Sequence, residues 1–233
     1  MYLVVQLCKN LATFAALNYL AKEDMEYEHT AEQDNATANA EADRKYARVV
    51  PINPAEIVDE NGNAIDLTDT EALREWLLAK YKGRAVEVKD DGRTVRVTTK
   101  GIKAGVKRRG EAHRQLYADL VSLLENGVYS GYEPGDSRHP FVKQQNIYYA
   151  SATVEGRIYG VRFKVDIHEG VSAGSYKDHK VAEIEIEKSP SLYDRLHKSG
   201  VAVQNENDFS IAVPKIKAAF TAKILQNFPN PTP

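Results

Sequence analysis

The sequence predicts an α+β fold, with helices on one face of a mainly antiparallel sheet. Three observations predict it. Segments 147–154 and 157–167 alternate apolar and polar residues on either side of Glu155-Gly156, a tight-turn pair. A shorter hairpin is marked by Val86 and Val88, the turn Asp90-Asp91-Gly92-Arg93, and Val95 and Val97. Two segments with apolar residues at helical spacing, one before and one after that short hairpin, supply the helical layer.

Taken in order, MYLVVQLCKNLATFAALNYL places Leu3, Leu7, Leu11, Phe14 and Leu17 at helical spacing and reads as an amphipathic helix. Lys9, Asn10 and Asn18 interrupt its apolar run, and no basic residue precedes it, so neither an export signal nor a membrane span is expected. Residues 23–43 are rich in acid, Ala, Asn and Thr and read as a solvated helix or linker, with a soft boundary near Val50. Asn61-Gly62-Asn63 is a turn signal. Thr68 and Glu71 suggest a capping box for a helix that buries Leu73, Trp76, Leu77 and Tyr81 and stops at Gly83. A second helix is expected over 110–126, with Leu116, Leu120, Leu123 and Leu124 inward. In the strand 157–167, Tyr159, Val161, Phe163, Val165 and Ile167 share one face; Arg162, Lys164, Asp166 and His168 share the other. A third strand is expected from His179 to Lys188 with Ala182, Ile184 and Ile186 inward, then a short helix over 191–198, an amphipathic helix after Pro214 and a fraying end. The expected organisation is an N-terminal segment 1–50, an α+β domain 51–200 and a C-terminal helix and tail 201–233.

The chain has 233 residues, 42% of them hydrophobic, enough for a sizeable core. Its single cysteine, Cys8, rules out an intramolecular disulfide and a four-cysteine zinc site. The six histidines, at 29, 113, 139, 168, 179 and 197, form no metal-binding motif, and neither a metal nor a cofactor is expected. A reducing, cytoplasmic location fits this cysteine usage. Against a formal net charge of −2, the run Arg93–Arg114 carries eight Lys or Arg and one Glu. Such a concentration is a footprint for a polyanion, and phosphate backbones are the usual candidates.

The strings VDENGNAIDL, LLAKYKGRAVEVKDDGRTVRVTTKGIK, LLENGVY, VEGRIYGVRFKVDI and YKDHKVAEIEIEK, in this order, resemble a large polyvalent protein-associated domain of phage and mobile-element proteins. The resemblance spans Ile57 to Lys188. That family is assigned to the barnase–EndoU–colicin–RelE-like nuclease superfamily, so the resemblance implies an RNase-like fold, with helices packed on a curved, mainly antiparallel sheet of four strands or slightly more, and metal-independent RNA cleavage. Relatives tend to carry a His and a small hydroxyl residue just after the Gly-Ile-Lys string; here those positions are Ala104 and Gly105.

Metal-free RNA cleavage needs a base for the ribose 2′-hydroxyl, an acid for the leaving oxygen and cations over the phosphate. The candidate constellation is Tyr176 and His179, at a turn feeding the third strand, with Arg162, Lys164 and His168 of the neighbouring strand. The alternative for Arg162 and Lys164 is a cross-strand ladder with Glu183 and Glu185. Lys100, Lys103, Lys107, Arg108 and Arg109 are the candidate nucleic-acid contacts. His139, in a long loop with Asp136 and Arg138, is a second candidate for catalysis; His113 is expected to be packed, and His197 to face a helix C-terminus. Tyr129, Tyr132, Tyr148 and Tyr149 are candidates for stacking bases, with core packing the alternative for Tyr148 and Tyr149. Three functions follow: an RNase acting as an effector or toxin, a non-catalytic nucleic-acid-binding module on the same fold, and a protein-interaction module docking through its N-terminal helix. RNA is the expected partner and no membrane is.

Overall fold

A computed structural model describes residues 31–107, 110–135, 140–185, 201–205 and 208–227. Helix α1 covers 31–42. Then come β1 (Tyr46–Ile52), α2 (Thr70–Tyr81), β2 (Ala85–Glu87), β3 (Thr94–Val97) and α3 (Thr99–Val106). Helix α4 (Glu111–Gln115) runs through a 3-10 turn into α5 (Leu120–Glu125). Strands β4 (Val128–Pro134), β5 (Val142–Val154), β6 (Arg157–His168) and β7 (Gly174–Glu183) follow, then β8 (Val201–Asn205), β9 (Asp208–Ala212) and helix α6 (Val213–Asn227).

The α+β class holds, but the sheet is larger than expected and mixed. Among the described residues its nine strands run β2-β3-β7-β6-β5-β1-β9-β8, with β4 also paired to β5. Two pairings are parallel, β1 with β5 and β3 with β7. Alternating sequence marks a strand but not its neighbour. Parallel partners are joined here by long stretches of chain that contain helices, and no turn signal announces them. The β5–β6 hairpin is as expected: Val154 faces Arg157, and Glu155 and Gly156 take φ of 49° and 76°. Two positive values suit the twist of a two-residue hairpin turn.

Helices cover both faces rather than one. On the first, α2 to α5 pack Leu73, Leu77, Ile102, Leu116, Leu120 and Leu123 against Val161, Phe163 and Val165 of β6. On the second, Ala42, Val213 and Ile216 join Val49, Ile158 and Ile184 in a smaller core. Helix α1 is tied to β4 by Asn35, whose side chain accepts from Tyr132 N (2.7 Å) and donates to Tyr132 O (2.8 Å). Strand β1 runs across Val50, where a boundary was expected, and pairs with β9 through Tyr46, Ala47 and Arg48.

Local expectations fared unevenly. Helix α2 buries Leu73, Leu77 and Tyr81 while Trp76 is half-buried, and Gly83 follows its C-cap. Its N-cap is Asp69, which accepts from Glu71 N and Ala72 N, whereas Thr68 is engaged by Asp66. Asp sits one residue closer to the first turn, so the carboxylate takes the amides that the expected capping box gave to Thr68. The helix expected over 110–126 has its four leucines buried but breaks at Asp119, whose side chain caps Ser122 N. The third strand begins at Gly174, five residues before His179. The export-signal test, His29, Arg108, Arg109, Asp136, Arg138, His139, Ile186 and the expected helix 191–198 lie outside the described residues.

Candidate functional site

Helix α3 falls inside the basic run, between the short hairpin and the helix expected over 110–126, where no helix was expected. The Thr98 hydroxyl accepts from Gly101 N at 3.1 Å and starts the helix. Ile102 and Val106 are buried, while Lys100, Lys103 and Lys107 are exposed. Spacings of three and four put these lysines on one helix face, where they flank a shallow hollow with Thr99 and Ala104. Among the described residues none of the three forms an ion pair. The buried side explains the two glycines. A Cβ at Gly101 would lie 2.1 Å from Tyr176 O, and one at Gly105 would lie 1.7 Å from the Tyr117 hydroxyl. Glycine at 105 is what lets α3 close over Tyr117.

The expected catalytic constellation is split between the two faces of the sheet. Phe163 faces His179 across β6 and β7, and Arg162 faces Lys180. His179 therefore shares the helix-covered face with Phe163, and Arg162 and Lys164 point to the other side. His179 is fully buried. Its Nδ1 lies 2.8 Å from the Tyr176 hydroxyl, its Nε2 lies 3.2 Å from His113 O, and its ring stacks on His113 with centroids 3.9 Å apart. Tyr117 closes the group edge-on, 5.0 Å from His179. Tyr176 and His179 do come together, as expected, but in the interior. His168, at the end of β6, places Nδ1 3.1 Å from Phe141 O, away from both.

On the opposite face Arg162 and Lys164 both donate to the carboxylate of Glu133, which neither Glu183 nor Glu185 replaces. Burial alone raises the Glu133 pKa, but the hydrogen bonds and positive charges of Lys164 and Arg162 outweigh it and hold the carboxyl below its usual range. Glu183 instead pairs with Arg157, at 3.8 Å. Of the four tyrosines, Tyr148 is buried and donates to Asp91 (2.8 Å), while Tyr129, Tyr132 and Tyr149 are half-buried.

A cleft of about 1080 Å³ runs beside β7. One side is lined by Gly110, Glu111 and His113; the other by Tyr149, Arg162, Lys180, Lys217 and Lys223. Sequence reasoning did not single out Glu133, Lys180 or Lys217. A hydroxyl N-cap at Thr98 with apolar residues four apart, Ile102 and Val106, was the available signal for α3.

Residues 66–171 match the model of a family described as large polyvalent protein-associated domain 3. The matched segment takes in α2 to β6, and with them α3, and ends before β7 and His179. It supports the polyvalent-protein part of the resemblance and is consistent with a phage or mobile-element protein. No curated protein and no solved structure matches the chain. Among the described residues, no helix is long and apolar enough to cross a membrane.

Proposed function

We propose that the chain is a nucleic-acid-binding module of a phage or mobile-element polyvalent protein, which holds RNA phosphates through α3 without cutting them. The observation that carries this reading is the exposed row Lys100, Lys103 and Lys107 on a helix packed rigidly against β7. Lysines with no carboxylate partner keep their charge available to a phosphate backbone, and counterion release makes the contact favourable. The match to a polyvalent-protein domain covers this helix.

Cleavage is left out of the reading because His179 is buried with both ring nitrogens engaged, and Arg162 and Lys164 lie across the sheet from it. A base needs access to the proton it removes. The test is fluorescence anisotropy with labelled single-stranded RNA over a series of salt concentrations. Changing Lys100, Lys103 and Lys107 to Glu is expected to weaken binding and to flatten the log–log salt slope by about 2, at roughly 0.7 per single-strand phosphate contact. RNA incubated with the protein in EDTA between pH 5 and 8 is expected to stay intact. An unchanged salt slope in a triple variant that melts like wild type refutes the binding role; cleavage that survives in that variant refutes the non-catalytic one.

A further inference from the structure

We infer that the wall of the cleft built by Arg162, Lys180, Lys217 and Lys223 is a binding site for a multiply charged phosphate group, separate from the α3 row. The register puts the first two side chains in line. Tyr149 on β5 faces Arg162 on β6, which in turn faces Lys180 on β7. Residues directly opposite on adjacent strands have Cβ atoms roughly 5 Å apart on the same face, so an aromatic ring and two cations form one row across three strands. Helix α6 brings two more cations to this row. Lys217 Nζ stands 5.7 Å from the centre of the Tyr149 ring, and Lys223 Nζ donates to Val181 O on the edge of β7 at 2.7 Å.

The carboxylates that steady these cations are not part of the cleft wall. Glu133 holds Arg162, and Asp43 holds Lys217 at 2.6 Å; neither lines the cleft. Three carboxylates do line it, Glu111, Glu155 and Glu183, against five Lys and Arg, and Glu183 is paired with Arg157. Lys180 is exposed and has no ion pair among the described residues. The side chains of Arg162 and Lys217 keep only 18% and 23% of their exposure, so their charges are less screened than those of free surface lysines. Burial raises the pKa of Tyr149, which keeps its phenol protonated beside Arg162. A planar guanidinium flanked by three ammonium groups matches the several oxygens and charges of a pyrophosphate or a terminal phosphate better than it matches a single carboxylate.

The test titrates the full ¹⁵N-labelled chain with sodium pyrophosphate at constant ionic strength, with calorimetry on the same samples. Amide shifts are expected at Arg162, Lys180, Val181 and Lys217. Lys180→Glu is expected to lower the affinity at least tenfold, as the loss of one charge-assisted contact implies. A Lys100→Glu/Lys103→Glu variant is expected to bind pyrophosphate like wild type, which separates this site from the α3 reading. Lys180→Ala serves in place of Lys180→Glu if the latter melts early. Equal affinity in the Lys180 variant and wild type, or loss only in the α3 variant, overturns the site. Competition by a 5′-phosphorylated trinucleotide but not its 5′-hydroxyl form assigns the phosphate to a nucleic-acid end. Failure of both to compete with bound pyrophosphate assigns it to a free polyphosphate. Either result keeps the site.

Discussion

Replacing Gly105 with Ala asks whether α3 is held where the lysine row requires. Two effects oppose each other. Alanine in a helix interior is favoured over glycine by roughly 0.5–1 kcal/mol, so propensity alone raises stability. The added Cβ, however, lands 1.7 Å from the Tyr117 hydroxyl and 3.0 Å from Tyr117 Cζ. Tyr117 is fully buried, and a rigid ring cannot swing its far end away as a lysine would. Relief needs a shift of well over an ångström in the ring or in α3, and overpacking of this kind costs about 1–3 kcal/mol. The net expectation is a loss of about 1–2 kcal/mol, a fall in Tm of roughly 2–8 °C for a chain of this length. Adding Tyr117→Phe removes the clashing oxygen and leaves the 3.0 Å contact, so the double variant is expected to regain most of the loss. Differential scanning calorimetry on wild type, both single variants and the double variant measures the coupling. A Gly105→Ala protein that melts at or above the wild-type temperature refutes the close packing of α3 on Tyr117, and with it the fixed lysine row.

Three further outcomes are expected. Glu133→Gln is expected to lower Tm at pH 7, and the gap from wild type is expected to close in acid. The folded pKa of Glu133 lies below its unfolded value, so its contribution is present above the unfolded value and vanishes as pH falls through the folded one. A gap that stays constant from pH 7 to pH 3 counts against the pairing with Arg162 and Lys164. Asp69→Ala is expected to cost about 1 kcal/mol and Thr68→Ala distinctly less, measured by urea melts, since Asp69 carries the α2 cap. Asn35→Ala removes both hydrogen bonds to the Tyr132 backbone and is expected to speed hydrogen exchange at the Tyr132 amide by tenfold or more; unaltered exchange there refutes the docking of α1 through Asn35.

Strands 147–154 and 157–167 and helix α2 were legible because each carries its own signal: alternation, a two-residue turn, apolar residues at helical spacing. What escaped depended on partners far along the chain. Helix α3 was obscured by Gly101 and Gly105, poor helix formers whose presence makes sense only once Tyr176 and Tyr117 lie against them. His179 was assigned to the right strand, but the pairing of Phe163 with His179 sets which side of β6 it joins, and no alternation within one strand reveals that. Glu133 replaced Glu183 and Glu185 as partner of Arg162 and Lys164 because β4, a strand the sequence did not announce, docks on the far edge of β5. The second helical layer was missed because the face expected to carry no helix receives α1 and α6, which come from the two ends of the described chain.

The divided edge of β5 sets an order of assembly. Its hairpin with β6 closes over two residues, whereas Ser151 must meet Ala47, 104 positions earlier, before β1 can complete the other edge. Closing that loop costs roughly 2 kcal/mol more in chain entropy than closing one of ten residues. The central hairpin is therefore expected to form early and β1 to arrive late, with transition-state φ-values near zero for substitutions at Val49 and Val50. Until β1 docks, Ser151 to Val154 offer an uncovered row of backbone donors and acceptors. The Ser151 hydroxyl, which donates to Ala47 O (3.1 Å) in the finished fold, then has only water to bind. A chain slow to supply β1 invites another copy to pair there instead, so its vulnerable moment is a kinetic one, set by how quickly its first strand finds the middle of its sheet.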